Sequence, residues 1–218
     1  MNAIFFDLDG TLVDTEPVAI QVTQSYFHAR NLLVKDSDLE ALIGRPWAHG
    51  LASLLKSYPL PGSPAAIEEE VLQDYRRALA RSVPEIPGSR RLFGELAKHF
   101  PIGVVSNSRR SDIEFVLKSF GVLSSVTHIV GIEDVKSGKP SPDPYLKALS
   151  LFGFLPKDIL VFEDSASGVL SAHAAGLTVV AVGNDPGGEL PRPKTRWHVP
   201  DLTGVDLTWV RASLNSLK

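Results

Sequence analysis

The sequence of 218 residues contains no cysteine. Disulfide bonds, thiolate metal sites and a cysteine nucleophile are therefore excluded. No charge of one sign dominates, because 22 lysine and arginine residues stand against 25 aspartate and glutamate residues. No block of like charge interrupts this balance. The composition thus gives no sign of a surface for nucleic acid or for an anionic membrane, and we expect neither as a partner.

Long apolar runs are absent as well, since none approaches the length of a membrane-spanning helix. The chain enters a short apolar run at Ala3 and meets an acidic residue at Asp7, which is unlike a signal peptide. We therefore expect a cytoplasmic protein. The hydrophobic share of 44% is enough for a sizeable core, and the length fits one domain or a core domain with a smaller insertion.

Five short apolar runs, rich in β-branched residues, alternate with segments of helical spacing. Such runs are typical of strands that are covered on both faces. Their alternation with helices predicts an α/β fold, with a Rossmann-like three-layer core around a mainly parallel sheet. The predicted strands are AIFF (3–6), IGVVS (102–106), VTHIVG (126–131), DILVFED (158–164) and LTVVAVG (177–183).

The segment 15–84 breaks this alternation. Its apolar residues follow helical spacing, and it contains no clear strand pattern. We predict an all-helical domain inserted between the first strand and the rest of the sheet. Residues 1–14 and 85–218 would then form the α/β core domain.

Polar and charged side chains follow four of the five predicted strands. In open parallel sheets, ligands bind beyond the carboxyl ends of the strands, so these side chains are expected to meet at one edge. Carboxylates that cannot all ionise alone can share Mg²⁺, and a lysine beside them suits an anionic oxygen. This composition describes a metal-assisted phosphoryl-transfer site, in which one aspartate can be the nucleophile and another can move the proton. The residues are Asp7, Asp9, Ser106, Asn107, Lys139, Glu163 and Asp164.

Four motifs occur in order: FFDLDGTLVDTEP (5–17), VVSNS (104–108), SGKPSPDPY (137–145) and VFEDSASGV (161–169). Together they resemble the haloacid dehalogenase superfamily of phosphohydrolases. The helical insertion resembles the C1 cap domain of the branch that contains β-phosphoglucomutase-like and phosphoglycolate phosphatase-like proteins. The resemblance covers the whole sheet domain. It implies a hydrolase that acts on phosphoric monoesters with Mg²⁺ as cofactor.

The resemblance also implies a role for each matching residue. Asp7 would be the nucleophile, Asp9 the general acid and base, and Lys139 the partner of Asp7 and of the phosphate. Lys136, in contrast, is expected at the surface. The phosphoryl group would be held by the Ser106 hydroxyl, by the backbone N–H of Asn107 and by the turn at Gly10 and Thr11.

The implied metal ligands are Asp7, the backbone carbonyl of Asp9, and Asp164, with Glu163 helping directly or through water. In the cap, the loop that corresponds to the stretch around Arg45 faces the substrate in this family. The resemblance therefore implies Arg45 as a substrate-binding residue.

The acid at Asp9 favours phosphate esters, because dehalogenases and phosphonatases of the superfamily lack it. We expect a monomeric phosphatase of a small metabolite, such as a sugar phosphate or phosphoglycolate.

The alternative is a β-phosphoglucomutase-like sugar phosphomutase, but Ala19 stands where the mutase has a cap histidine and Trp47 where it has an arginine. A non-catalytic phosphoacceptor module is a further alternative; receiver domains place the acceptor after strand 3 and have no cap.

Overall fold

The computed structural model describes residues 2–40, 47–183 and 194–216 of the chain. Within these ranges, no helix combines the length and the apolar character that crossing a membrane requires. The same ranges contain nine α-helices and six β-strands. The helices are α1 (Glu16–His28), α2 (Asp36–Glu40), α3 (Trp47–Ser57), α4 (Pro64–Arg81), α5 (Ser89–Leu96), α6 (Arg110–Phe120), α7 (Asp143–Phe152), α8 (Ala166–Ala174) and α9 (Leu207–Asn215).

Contacts within the chain define two compact units. One unit joins Met1–Asp14 to Glu85–Lys218 and contains the sheet and helices α5 to α9. The other unit, Thr15–Pro84, contains helices α1 to α4 and no strand among its described residues. Its own core gathers aromatic and aliphatic side chains such as those of Phe27 and Val71, both without solvent exposure.

The sheet confirms the α/β prediction, because all of its strand pairings are parallel. The strands are β1 (Ala3–Phe6), β2 (Ile102–Val105), β3 (His128–Val130), β4 (Ile159–Glu163), β5 (Thr178–Val182) and β6 (Trp197–Val199). Their order across the sheet is β3-β2-β1-β4-β5-β6. The first five strands are the predicted ones. Strand β6 was not predicted, because three partly exposed residues at a sheet edge form no apolar run.

The sheet is covered on both faces, which makes the unit three layers thick. On one face, the Phe5 ring packs against Phe152 of α7, with 4.8 Å between ring centroids. On the other face, the Phe6 ring stacks on Phe162 of β4 and lies 5.6 Å from Phe93 of α5. Because side chains alternate between the faces of a strand, every residue of β1 is buried against one layer or the other.

Strand β1 lies at the centre of the sheet, where the chain reverses the direction in which it adds strands. After β1 the chain adds β2 and β3 on one side, and it then crosses to add β4, β5 and β6 on the other. Such a switch point leaves a crevice at the carboxyl ends of the two neighbouring strands. The residues that follow β1, β2 and β4 therefore share one edge of the unit.

The turn before α5 depends on a glycine, and we expect its substitution to destabilise the sheet unit. Gly88 has a φ of +83°, and a Cβ there would lie 2.5 Å from the carbonyl carbon of Leu202. Backbone strain and overpacking together should make Gly88→Ala lower the free energy of unfolding by about 2 to 4 kcal/mol, measured by urea denaturation.

The matched control lies six positions later in the same segment. Gly94 is inside α5, and nothing lies within 4 Å of a Cβ built there. Gly94→Ala should raise the free energy of unfolding by up to about 1 kcal/mol, since alanine is the better helix former. Effects of the same sign in the two variants would contradict this account of Gly88.

Candidate active site

Asp7 extends the pairing of the two central strands by one residue. Its backbone N–H donates to the carbonyl of Phe162 in β4 at 3.0 Å. The chain then turns at Gly10, which has a φ of +84° and approaches Asp164 closely: a Cβ on Gly10 would lie 2.0 Å from the Asp164 Oδ2 atom. The Thr11 hydroxyl donates to the Asp164 Oδ1 atom at 3.1 Å. The turn after β1 thus brings Asp7 and Thr11 beside the carboxylate that follows β4.

Lys139 reaches this edge from the loop between β3 and α7. Its side chain is 3% exposed, and its ammonium group has three acceptors, which is its full donor capacity. The Nζ atom donates to Asp7, to the Glu163 Oε1 atom at 2.6 Å and to the Val105 carbonyl at 2.8 Å. One buried cation therefore joins the ends of β1, β2 and β4.

Glu163 is the last residue of β4 and has no solvent exposure. Besides Lys139, its Oε1 atom accepts from the Tyr145 hydroxyl at 3.2 Å. Its Oε2 atom accepts from the backbone N–H and the hydroxyl of Ser165, both at 3.1 Å. Gly168 in α8 leaves room for this carboxylate, because a Cβ there would lie 1.6 Å from Oε1. Both oxygens of Glu163 are thus engaged within the protein.

The buried charges perturb one another strongly. Burial raises the pKa of Asp7 well above its ordinary value, against the opposing attraction of Lys139. Burial disfavours the charge of Lys139, but attraction by Asp7 and Glu163 outweighs it, so the pKa of Lys139 is raised well above its ordinary value. Burial, with repulsion by Glu163, also raises the pKa of Tyr145 well above its ordinary value.

The carboxylates exceed the cations in this cluster. Asp7, Glu163 and Asp164 each offer an oxygen, and these oxygens lie within 4.8 Å of one another. Lys139 forms ion pairs with Asp7 and Glu163, so one positive charge stands against three carboxyl groups in this cluster. Burial, followed by repulsion from Glu163, raises the pKa of Asp164 to about 7. An all-oxygen donor set with excess negative charge fits a hard divalent cation such as Mg²⁺.

The residues that follow β2 complete the edge. The hydroxyl of Ser106, itself buried, accepts from the backbone N–H of Ser108 at 3.0 Å. The Ser108 hydroxyl donates to the Asp9 Oδ2 atom at 3.4 Å. The side chain of Asn107 hydrogen-bonds to the backbone N–H and the carbonyl of Lys139. These contacts link the loops after β1, β2 and β3.

Most of the predicted site residues meet in this network of contacts, whereas Arg45 lies outside the described residues. Lys136 is exposed. Sequence reasoning missed three contributors, although all of them stand inside the motifs that it singled out. That place inside a motif is their only signal, because none of them carries a charge. They are Ser108, Tyr145 and Gly168.

The raised pKa of Asp164 generates a stability prediction for metal-free protein. The folded protein keeps a proton on this group up to about pH 7, whereas the unfolded chain releases it near pH 4. Stability in excess EDTA should therefore fall as pH rises across this window. Asp164→Asn should raise the free energy of unfolding at pH 8 by about 1 kcal/mol or more, and by less at pH 5, which lies near the start of the window, in thermal denaturation.

The control is Asp201→Asn. Hydrogen bonds from the Thr203 hydroxyl and backbone N–H hold the pKa of Asp201 below its ordinary value, so neutralising it should give no gain. A gain for Asp164→Asn that is equal at pH 5 and pH 8, or absent at pH 8, would contradict the prediction.

Comparison with known proteins identifies relatives along most of the chain. A model of the haloacid dehalogenase-like hydrolase family matches residues 4–182. The chain is 31% identical over 183 residues to hexitol phosphatase A of Escherichia coli (strain K12), covering 83% of this chain and 82% of that protein. It is 30% identical over 183 residues to a bifunctional riboflavin kinase/FMN phosphatase of Arabidopsis thaliana, of which the match spans 48%.

A solved structure shares the architecture. The crystal structure of CbbY from Rhodobacter sphaeroides in complex with phosphate superposes with a TM-score of 0.82 at 22% identity, covering 97% of this chain and 99% of that one. At this identity the likeness shows the fold. The family model, in contrast, spans the sheet unit from β1 to β5, including all four motifs at the strand ends. The chain belongs to the haloacid dehalogenase-like hydrolase family.

Proposed function

We propose that the protein is a Mg²⁺-dependent phosphatase that hydrolyses a small phosphorylated metabolite through an aspartyl-phosphate on Asp7. The observation that carries this proposal is the buried carboxylate of Asp7 held by Lys139 beside Asp164. A hexitol phosphatase and an FMN phosphatase among the relatives support a phosphoric monoester of a sugar or a similar small compound as the substrate.

In the proposed reaction, a carboxylate oxygen of Asp7 attacks phosphorus and the ester P–O bond breaks. Asp9 gives its proton to the departing alkoxide oxygen. Water then attacks the phosphorus of the aspartyl-phosphate, Asp9 takes a proton from that water, and the bond between phosphorus and the Asp7 oxygen breaks, which releases inorganic phosphate and restores the Asp7 carboxylate. Asp9 is suited to both steps because it is only partly buried and its carboxylate is oriented by the Ser108 hydroxyl.

Lys139 prepares Asp7 for attack. Burial alone favours a protonated and therefore unreactive carboxyl group, and the adjacent ammonium group opposes this. We propose that the Ser106 hydroxyl, the Asn107 backbone N–H and the turn at Gly10 and Thr11 hold the phosphoryl oxygens. Preorganised donors of this kind stabilise the charge that develops in the transition state.

The proposed metal ligands are Asp7, Asp164 and the backbone carbonyl of Asp9. Glu163 is assigned a contact through water, because both of its oxygens already accept hydrogen bonds from protein groups. When bound, Mg²⁺ would neutralise negative charge on the phosphoryl oxygens and among the carboxylates. Its charge would also lower the pKa of Asp7 towards the ionised form that attack requires.

We assign substrate selection to the helical unit, Thr15–Pro84, as the cap domain that the family resemblance implies. Arg45 remains the proposed substrate contact in this unit. Ala19 and Trp47, which replace the histidine and arginine of the mutase pattern, support hydrolysis over phosphoryl transfer between sugar positions.

The decisive experiment measures phosphate release from p-nitrophenyl phosphate and from a panel of phosphorylated metabolites. We expect steady turnover with Mg²⁺ and none in EDTA. Asp7→Asn should lower kcat by about 10⁴-fold or more, because it removes the nucleophile. Transient labelling of the wild-type protein by a ³²P-labelled substrate should be absent in this variant.

The matched control is Asp14→Asn, which changes an exposed aspartate seven positions further along the same motif. It should retain turnover. A single stoichiometric phosphorylation without turnover would show a phosphoacceptor module instead. Conversion of β-glucose 1-phosphate to glucose 6-phosphate faster than phosphate release would show a mutase.

A further inference from the structure

Lys139 stands on a loop, yet its ammonium group must stay in one place to serve Asp7. The loop runs from the end of β3 to the start of α7 and carries no strand pairing of its own. Loops are generally more mobile than the elements that they connect. Something must therefore fix the main chain of Lys139, as distinct from its side chain.

The side chain of Asn107 supplies both hydrogen bonds that this main chain needs. Its Oδ1 atom accepts from the Lys139 backbone N–H at 2.8 Å. Its Nδ2 atom donates to the Lys139 carbonyl at 3.2 Å. One amide group thus pairs with the donor and the acceptor of a single residue, as a neighbouring strand would.

Gly138 makes this close approach possible. A Cβ on Gly138 would lie 2.6 Å from the Asn107 Oδ1 atom and 2.6 Å from the Ile132 Cδ1 atom. Real Cβ atoms do not come so near to a polar oxygen, so the asparagine contact requires glycine at this position. Asn107 and Gly138 are 31 positions apart in the sequence, and the contact requires both of them.

Asn107 is itself held by the sheet. The preceding residue, Ser106, donates its backbone N–H to the Val130 carbonyl at 3.0 Å, which continues the pairing of β2 with β3. The following residue, Ser108, donates its backbone N–H to the Ser106 hydroxyl. The side chain of Asn107 therefore extends towards the Lys139 loop from a main chain that the sheet holds in place.

We propose that Asn107 is a positioning residue that acts through Lys139: its side chain ties the lysine loop to the end of β2, while its backbone N–H remains available to the phosphate. The effect of the asparagine side chain on turnover rests on the proposed function. The hydrogen bonds between Asn107 and Lys139 do not depend on that function. Groups that orient a site residue in this way typically change activity by about 10- to 100-fold when removed.

The first test is the exchange of backbone amide hydrogens in the wild-type protein, followed by NMR. The Lys139 amide should be protected relative to that of the exposed Lys136 in the same loop. In Asn107→Ala and in Gly138→Ala, this protection should be lost while the amides of β2 stay protected. Equal exchange of the two lysine amides in the wild type would overturn the proposal without any variant.

The second test is a double-mutant cycle on phosphate release. Asn107→Ala should lower kcat by about 10- to 100-fold with a smaller change in KM, because the backbone N–H is retained. In the Lys139→Ala background, the same substitution should have almost no further effect. Lys136→Ala is the matched control and should retain wild-type turnover.

Additive effects in the cycle would assign Asn107 a role that does not run through Lys139, and would overturn the proposal. Should the lysine variant fail to fold, Gly138→Ala takes its place in the cycle, since it breaks the same contact from the other side. A wild-type protein that releases no phosphate from any ester would refute the phosphatase proposal alone, because amide exchange still decides whether the contact exists.

Discussion

The edge of the sheet depends on one buried cation among carboxylates. Lys139 contacts Asp7 and Glu163, which would otherwise face each other as uncompensated charges in a desolvated place. Removing one partner of such a buried ionic group typically costs about 3 to 5 kcal/mol, because the remaining charges lose their compensation. The lysine therefore stabilises the arrangement of the strands as well as the ionised form of Asp7.

The carboxylates around Lys139 differ in their hydrogen-bond partners. Tyr145 and Ser165 saturate Glu163, which leaves this carboxylate as the fixed counter-ion of Lys139. Asp7 and Asp164 lie with Glu163 in a cluster of carboxylate oxygens within 4.8 Å of one another, and a divalent cation bound there would neutralise this negative charge. Two adjacent acidic residues at the end of β4 thus have different surroundings, and we assign them different roles.

The topology of the sheet positions these groups. Parallel strands bring their carboxyl ends to one edge, and the reversal of strand order at β1 opens that edge to a ligand. Glycine is required where backbone and charged side chains come closest. Gly10 allows the turn beside Asp164, and Gly168 allows the first turn of α8 to pass Glu163. These two motif positions therefore require glycine, because a larger residue would overlap a carboxylate of the site.

The sequence alone determined the α/β class, the first five strands and the charged residues that meet beyond the strand ends, because burial on both faces and polar strand ends leave local patterns. It did not reveal β6, whose three residues are stabilised by pairing with β5 rather than by an apolar run. The family resemblance implied the pairing of Lys139 with Asp7, but only the tertiary structure decided that both oxygens of Glu163 would accept hydrogen bonds within the protein and that the Asn107 side chain would bond to the main chain of Lys139. Such contacts depend on which strands are neighbours in the sheet and on which groups are buried, and no short segment of the sequence determines either property.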